Sequence, residues 1–257
     1  MVKKDFIITE ENAKEYIERI GMFIKSRVEG ANRTGVVLGM SGGIDCSVVA
    51  RLCQEAGVNV TLLLMPDGTD MERSKSMQDA MELIEKFGFT YSILDIAESC
   101  KAIENLFEEM ASLSKINIRP RVRMTLLYTT AQNAGAFVIG TGNLDERLVG
   151  YFTKWGDGAS DLNPLGMLTK GEVRILAKHL GVPDCIVNKA PSAGLYEGQT
   201  DEKELGFTYR QIDGYILTGT SGDLEVDKKL EKRIRMSEHK LVPIPIFVKH
   251  AQNWFDC

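Results

Sequence analysis

The chain has 257 residues, enough for one large α/β unit with a full hydrophobic core. An apolar fraction of 44% and a charged fraction of 26% are ordinary for a folded protein and argue against a disordered or fibrous class. A net charge of -5 argues against a general nucleic-acid binder, and no apolar run reaches the roughly 18 residues of a membrane span, so neither nucleic acid nor membrane is an expected partner and the chain is expected in the cytosol.

The five cysteines (Cys46, Cys53, Cys100, Cys185 and Cys257) form no C-x-x-C pair, and His179, His239 and His250 are scattered. Neither a disulfide framework nor a transition-metal site is expected.

In chain order, Tyr16, Ile17, Ile20, Phe23, Ile24 and Val28 recur at helical spacing within residues 10–30. From there strands and helices alternate. Strands are predicted at 36–40, 58–65, 91–96 and 136–140, and helices at 48–56, 71–87, 103–113 and 122–133, the last closed by Gly135. This order predicts an α/β fold in one domain, an open parallel sheet with helices on both faces, Rossmann-like in its layering. Near-continuous apolar runs at 36–38, 61–64 and 137–139 suit strands covered on both sides. After Gly150 a stretch rich in Gly, Asp, Asn and Pro runs to Gly166 and reads as a functional loop. Helices follow at 170–180, 208–217 and 224–237. The expected division is an N-terminal helix at 10–30, a nucleotide-binding core at 35–190, and a lid with C-terminal helices at 191–257.

Ser41-Gly42-Gly43-Ile44-Asp45-Cys46-Ser47 sits between the first strand and its helix. Two glycines let backbone N–H groups approach an anion at which the helix N-terminus also aims. Ser41, Cys46 and Ser47 add side-chain donors. The chain has no Gly-Lys dipeptide, so the loop is not of the Walker type. A second motif, Gly140-Thr141-Gly142-Asn143-Leu144-Asp145-Glu146, ends the fourth strand. Asp45 and Glu146 therefore leave the same edge of the sheet, where both carboxylates could take a Mg²⁺.

The first loop resembles the S-G-G-x-D-S loop of the N-type ATP pyrophosphatases, with Cys46 where that pattern has Ser. Residues 150–165, which read Gly-Tyr-Phe-Thr-Lys-Trp-Gly-Asp-Gly-Ala-Ser-Asp-Leu-Asn-Pro-Leu, resemble the signature of ammonia-dependent NAD synthetases. Lys189-Ala190-Pro191-Ser192-Ala193 and Glu238-His239-Lys240 match two more blocks of that family.

The resemblance implies ATP contacts at Gly39, Met40, Ser41, Gly42, Gly43, Ile44, Asp45, Cys46, Thr141, Lys170 and Ser192, with Mg²⁺ on Asp45 and Glu146. It implies deamido-NAD contacts at Arg121, Lys154, Asp161, His239 and Lys240, with Tyr151 and Phe152 near the rings. The implied reaction adenylates the nicotinate carboxylate and displaces AMP with ammonia, free or from a separate glutaminase, in a homodimer. Asp45 and Lys170 are the expected catalytic residues, with Asp157 near the entering ammonia. Segments 67–74 and 194–206 are expected to close over the intermediate. A GMP synthetase core, a tRNA-thiolating enzyme and a non-catalytic nucleotide sensor are the alternatives.

Overall fold

The structure, a computed structural model, describes residues 7–68, 74–189 and 201–247. Its centre is a parallel sheet of β1 (Val36–Gly39), β2 (Val60–Leu64), β3 (Thr90–Ile93) and β4 (Phe137–Val138), in the order β3-β2-β1-β4. Alternate residues of the strands face opposite sides, and each side meets its own helices. Val36, Leu38, Leu62 and Leu64 pack into one core with α1 (Ala13–Gly30), α2 (Ile44–Glu55), α3 (Lys75–Phe87) and α7 (Lys170–His179). Val37, Leu63 and Val138 pack on the other side with α4 (Ala97–Glu104) and α5 (Ser112–Ala134). The expected α/β fold with helices on both faces is what forms.

Boundaries differ from the sequence prediction where backbone conformation and capping at the helix ends decide them. The helix expected to begin at 48 begins at Ile44, because Gly43 is extended and acts as the N-cap, so Asp45 and Cys46 lie in the first turn of α2. Ser74 caps α3 by accepting the Met77 N–H at 3.2 Å, and Gly88 closes it at φ 69°. No helix spans 103–113. Asp95 accepts the Ala97 N–H at 2.8 Å and opens α4 earlier, while Ala111, in an extended conformation, starts α5 ten residues before the predicted 122, with Pro120 inside it.

The fourth strand is shorter than predicted, and the turn-rich loop pairs with it in addition to β1. Ile139 bridges to Leu162, the Gly140 N–H donates to Leu162 O at 2.8 Å, and the Asp161 N–H donates to Val138 O at 2.9 Å.

Four short helices were not predicted or only partly so: α6 (Leu144–Leu148), α8 (Asp184–Val187), α9 (Asp201–Leu205) and the 3₁₀ turn Glu238–Lys240. The remaining pair, α10 (Tyr209–Thr218) and α11 (Leu224–Ser237), lies within a residue of prediction. Val149, Leu205, Phe207, Tyr209, Ile212 and Leu230 form a separate small core that fastens α9, α10 and α11 to the end of α6. Among the described residues no helix is long and apolar enough to cross a membrane.

Candidate active site

Strand order places the site. The chain runs outward from β1 to β2 to β3 and then returns to put β4 on the other side of β1, so the loops after β1 and β4 diverge from neighbouring strands. Such a switch point opens a crevice at the carboxyl ends of the strands.

The loop after β1 needs its glycines. Gly42 has φ +73°, and a Cβ there would lie 2.0 Å from the Ser76 carbonyl oxygen. The backbone of the loop is thus pressed onto the first turn of α3, and α2 opens from the same loop, a helix N-terminus being suited to an anion. The Ser47 hydroxyl and the Cys46 thiol both donate inward to Gly43 O, at 2.7 and 3.1 Å. Cys46 Sγ also lies 3.3 Å from Ser41 Oγ. Of the three side-chain donors expected in the loop, only Ser41 is exposed.

The loop after β4 is built by a reciprocal cap. Asn143 Oδ1 accepts the Glu146 N–H at 3.0 Å, and Glu146 Oε2 accepts the Asn143 N–H at 3.2 Å. Asn143 is fully buried and its Nδ2 donates to Asp45 Oδ1 at 3.1 Å, which joins the two loops. Thr169 and Glu172 form the same kind of cap on α7 and set Lys170 as its first residue.

Lys170 is 2% exposed, and its ammonium lies 2.5 Å from Asp45 Oδ2 and 3.6 Å from Glu146 Oε1. The sequence prediction named these three residues, and the fold brings them together. Burial alone would lower the lysine, but Asp45 and Glu146 outweigh it and hold Lys170 above the ordinary value. Burial raises Glu146, Asp45 raises it further, and Lys170 opposes both. An ammonium seated between two carboxylates marks the pair as built for a cation. Mg²⁺ takes one or two carboxylates together with phosphate oxygens and water, so this donor set fits it.

Five residues around this centre, the bridging Asn143 among them, carried no prediction. Asp145 and Asp213 are packed against the start of α7, where their carboxyl groups accept the Lys170 and Gly171 N–H groups at 2.5 and 3.1 Å. Tyr209 lies beneath Lys170, with the ammonium 5.0 Å from the ring centroid, and its hydroxyl donates to Asp201 Oδ2 at 3.0 Å. Asn143 and Glu146 were legible as an Asn-x-x-Glu cap; the contacts of Tyr209, Asp201 and Asp213 depend on how α10 packs and had no local signal.

A cavity of about 60 Å³ opens at the end of β4, walled by Gly140, Thr141, Gly142, Glu146, Phe152 and Asp157 among others. Thr141 and Asp157 thus share one space with Glu146. Asp157 accepts the Thr153 N–H at 2.9 Å, and its crowded surroundings raise its carboxyl above the ordinary value.

The residues implied for deamido-NAD divide. Lys154 donates to His239 O at 2.7 Å, Arg121 reaches Lys154 O at 3.4 Å, and Lys240 donates to Gly150 O and Phe152 O at 2.7 Å each. Arg121 and Lys240 thus meet the 150–154 backbone, and the Lys154 side chain ties that segment to the His239 carbonyl. Asp161 stands apart: its Oδ2 accepts the Val138 N–H at 2.7 Å and closes the edge of β4. The Tyr151 hydroxyl donates to Glu204 at 2.5 Å, on the side of α9. Ser192 and most of the two expected closing segments lie outside the described residues.

The model of the NAD synthase family matches residues 16–243. The chain belongs to the NAD synthase family. It is 44% identical to the NH(3)-dependent NAD(+) synthetase of Finegoldia magna, over 89% of this chain and 94% of that protein. Among solved structures, the NMN synthetase of Francisella tularensis superposes with a TM-score of 0.86 at 36% identity, covering 93% of this chain and 99% of that one. The NH3-dependent NAD synthetase of Campylobacter jejuni gives 0.79 at 31%, covering 92% and 99%. Members of the family are ligases that form a C–N bond, and this chain is one of them.

Proposed function

We propose that the chain amidates deamido-NAD with ammonia at the cost of ATP, through an acyl-adenylate, to give NAD, AMP and pyrophosphate. The observation that carries this reading is the meeting of Asp45, Glu146 and Lys170 beside the glycine cradle, at the point where β1 and β4 part.

The nicotinate carboxylate attacks the α-phosphorus and pyrophosphate leaves into the cradle of residues 40–46. Lys170 turns its ammonium toward the phosphates as charge builds there. Bound on Asp45 and Glu146, Mg²⁺ would screen the phosphate oxygens during that displacement. Ammonia then attacks the adenylated carbonyl and AMP departs. Asp157, in the same cavity as Glu146, is placed to accept the proton of an entering ammonium. Thr141 and Ser192 complete the ATP contacts. Arg121, Lys154, His239 and Lys240 face the dinucleotide, with Tyr151 and Phe152 beside its rings, and Asp161 fixes the strand edge under it.

The working enzyme is a homodimer in the cytoplasm, supplied with free ammonia or by a separate glutaminase. The exposed Leu106, Phe107 and Leu113 before and on α5 favour a covered face near Arg121.

Incubation with ATP, Mg²⁺, ammonium and deamido-NAD tests the reading: NAD and AMP should appear in equal amounts, and no NAD above a control without protein would refute it. A second reading has one observation of its own, the likeness to the Francisella tularensis NMN synthetase. On that reading the carboxylate that is adenylated is that of nicotinate mononucleotide, and a higher kcat/KM for it than for deamido-NAD in the same assay would favour it.

A further inference from the structure

Tyr209 is 1% exposed and sits in the small core with Val149, Leu205, Phe207, Ile212 and Leu230. Its backbone is fixed from outside the ion-pair centre. Its N–H donates to Glu202 Oε1 of α9 at 3.0 Å, and the Thr208–Gln211 cap holds the start of α10. The placement of the ring is therefore not a by-product of the charges above it. An apolar pocket favours phenylalanine unless the hydroxyl has work to do, since an unpaired buried hydroxyl costs stability. Here the hydroxyl lies 3.0 Å from Asp201 Oδ2 and 3.4 Å from Glu146 Oε1, and the ring face lies 5.0 Å from the Lys170 ammonium.

We propose that Tyr209 is the positioning residue of this site: its ring seats the Lys170 ammonium, and its single hydroxyl proton, shared between Asp201 Oδ2 and Glu146 Oε1, holds the Glu146 carboxylate toward Asp45 and links it to α9. The physical reason is competition. During adenylation Asp45 and Glu146 are needed for the divalent cation while Lys170 is needed by the phosphates. The ring attracts the ammonium without withdrawing a carboxylate from the metal. The hydroxyl keeps Glu146 aimed when the lysine leaves it.

This inference rests on the proposed reaction, so the experiment separates the two. Mg²⁺ is titrated calorimetrically into wild type, Tyr209→Phe and Tyr209→Leu, each saturated with a non-hydrolysable ATP analogue, and initial rates are measured with each substrate varied in turn. Tyr209→Phe should weaken Mg²⁺ binding roughly tenfold, the loss of one hydrogen bond to a charged group, with the KM for deamido-NAD within about twofold of wild type. Tyr209→Leu should in addition lower kcat by roughly a further tenfold, which the Phe variant, retaining the ring, does not show.

Wild-type Mg²⁺ affinity in Tyr209→Phe overturns the proposal for the hydroxyl, and equal kcat in the Phe and Leu variants overturns it for the ring. Should Tyr209→Leu fail to fold, the Phe titration still decides. Calorimetry needs no turnover, so a wild type that made no NAD would refute the reaction while the Mg²⁺ affinities still judged Tyr209.

Discussion

Replacing Lys170 by methionine keeps the length of the side chain and removes its charge, leaving Asp45 and Glu146 facing each other. Breaking a buried pair by removing one member costs about 3–5 kcal/mol. Two features place this case at the lower end. The Asp45 and Glu146 side chains are 17% and 19% exposed, and Glu146, already raised by burial, is poised to take up a proton once the ammonium is gone. A loss of about 3 kcal/mol in a chain of this size lowers the thermal midpoint by roughly 6–12 °C. Millimolar Mg²⁺ should restore part of that loss in Lys170→Met and raise wild type less, because only the variant has two uncompensated carboxylates. Turnover should fall by about 100-fold or more, the usual scale for losing a group that stabilises transition-state charge. Thermal unfolding with and without Mg²⁺ and the NAD-forming assay check both halves. A variant melting within about 2 °C of wild type in the absence of Mg²⁺ would refute the counter-charge argument.

Gly42→Ala should lose both stability and ATP binding, because the position has φ +73° and the new Cβ would lie 2.0 Å from Ser76 O; thermal unfolding and ATP titration measure the two losses. Cys46→Ser should leave the KM for ATP within about threefold, since the thiol already donates inward to Gly43 O and a hydroxyl would do the same. Asp79, fully buried, is raised by burial but lowered further by Lys189 and Lys75, so its net value lies below the ordinary 3.8. Its stabilising effect is present above that ordinary value and disappears as pH falls through the lowered one, and Asp79→Asn should therefore flatten the acid limb of a stability-against-pH curve.

Local signals located most of the elements, because burial on two faces leaves apolar runs and helix faces leave a 3.6-residue period. They failed where a distant or capping contact decides the outcome. β4 is two residues long, and Leu162, from a segment that reads only as turn-rich, bridges to Ile139 just beyond it. Asp161 shows the same limit in the site: its motif implies a ligand contact, and no local signal announces that its carboxylate accepts the Val138 N–H at the edge of β4. Tyr209, Asp201 and Asp213 had no motif at all, since what makes them part of the centre is the seating of α10 against α7 and of α9 against α10.

Residue order alone determined that this chain would form an open parallel sheet with a glycine cradle at one strand end, because φ-permissive glycines and alternating apolar segments act within a few residues. Family membership was likewise written in blocks of sequence. That β4 lies beside β1, so that Asn143 can join Asp45 to Glu146 and Lys170 can be buried between them, is a non-local choice of strand order. Only the packed structure decides it, because strand pairing depends on contacts across about 100 residues of chain that no periodicity records.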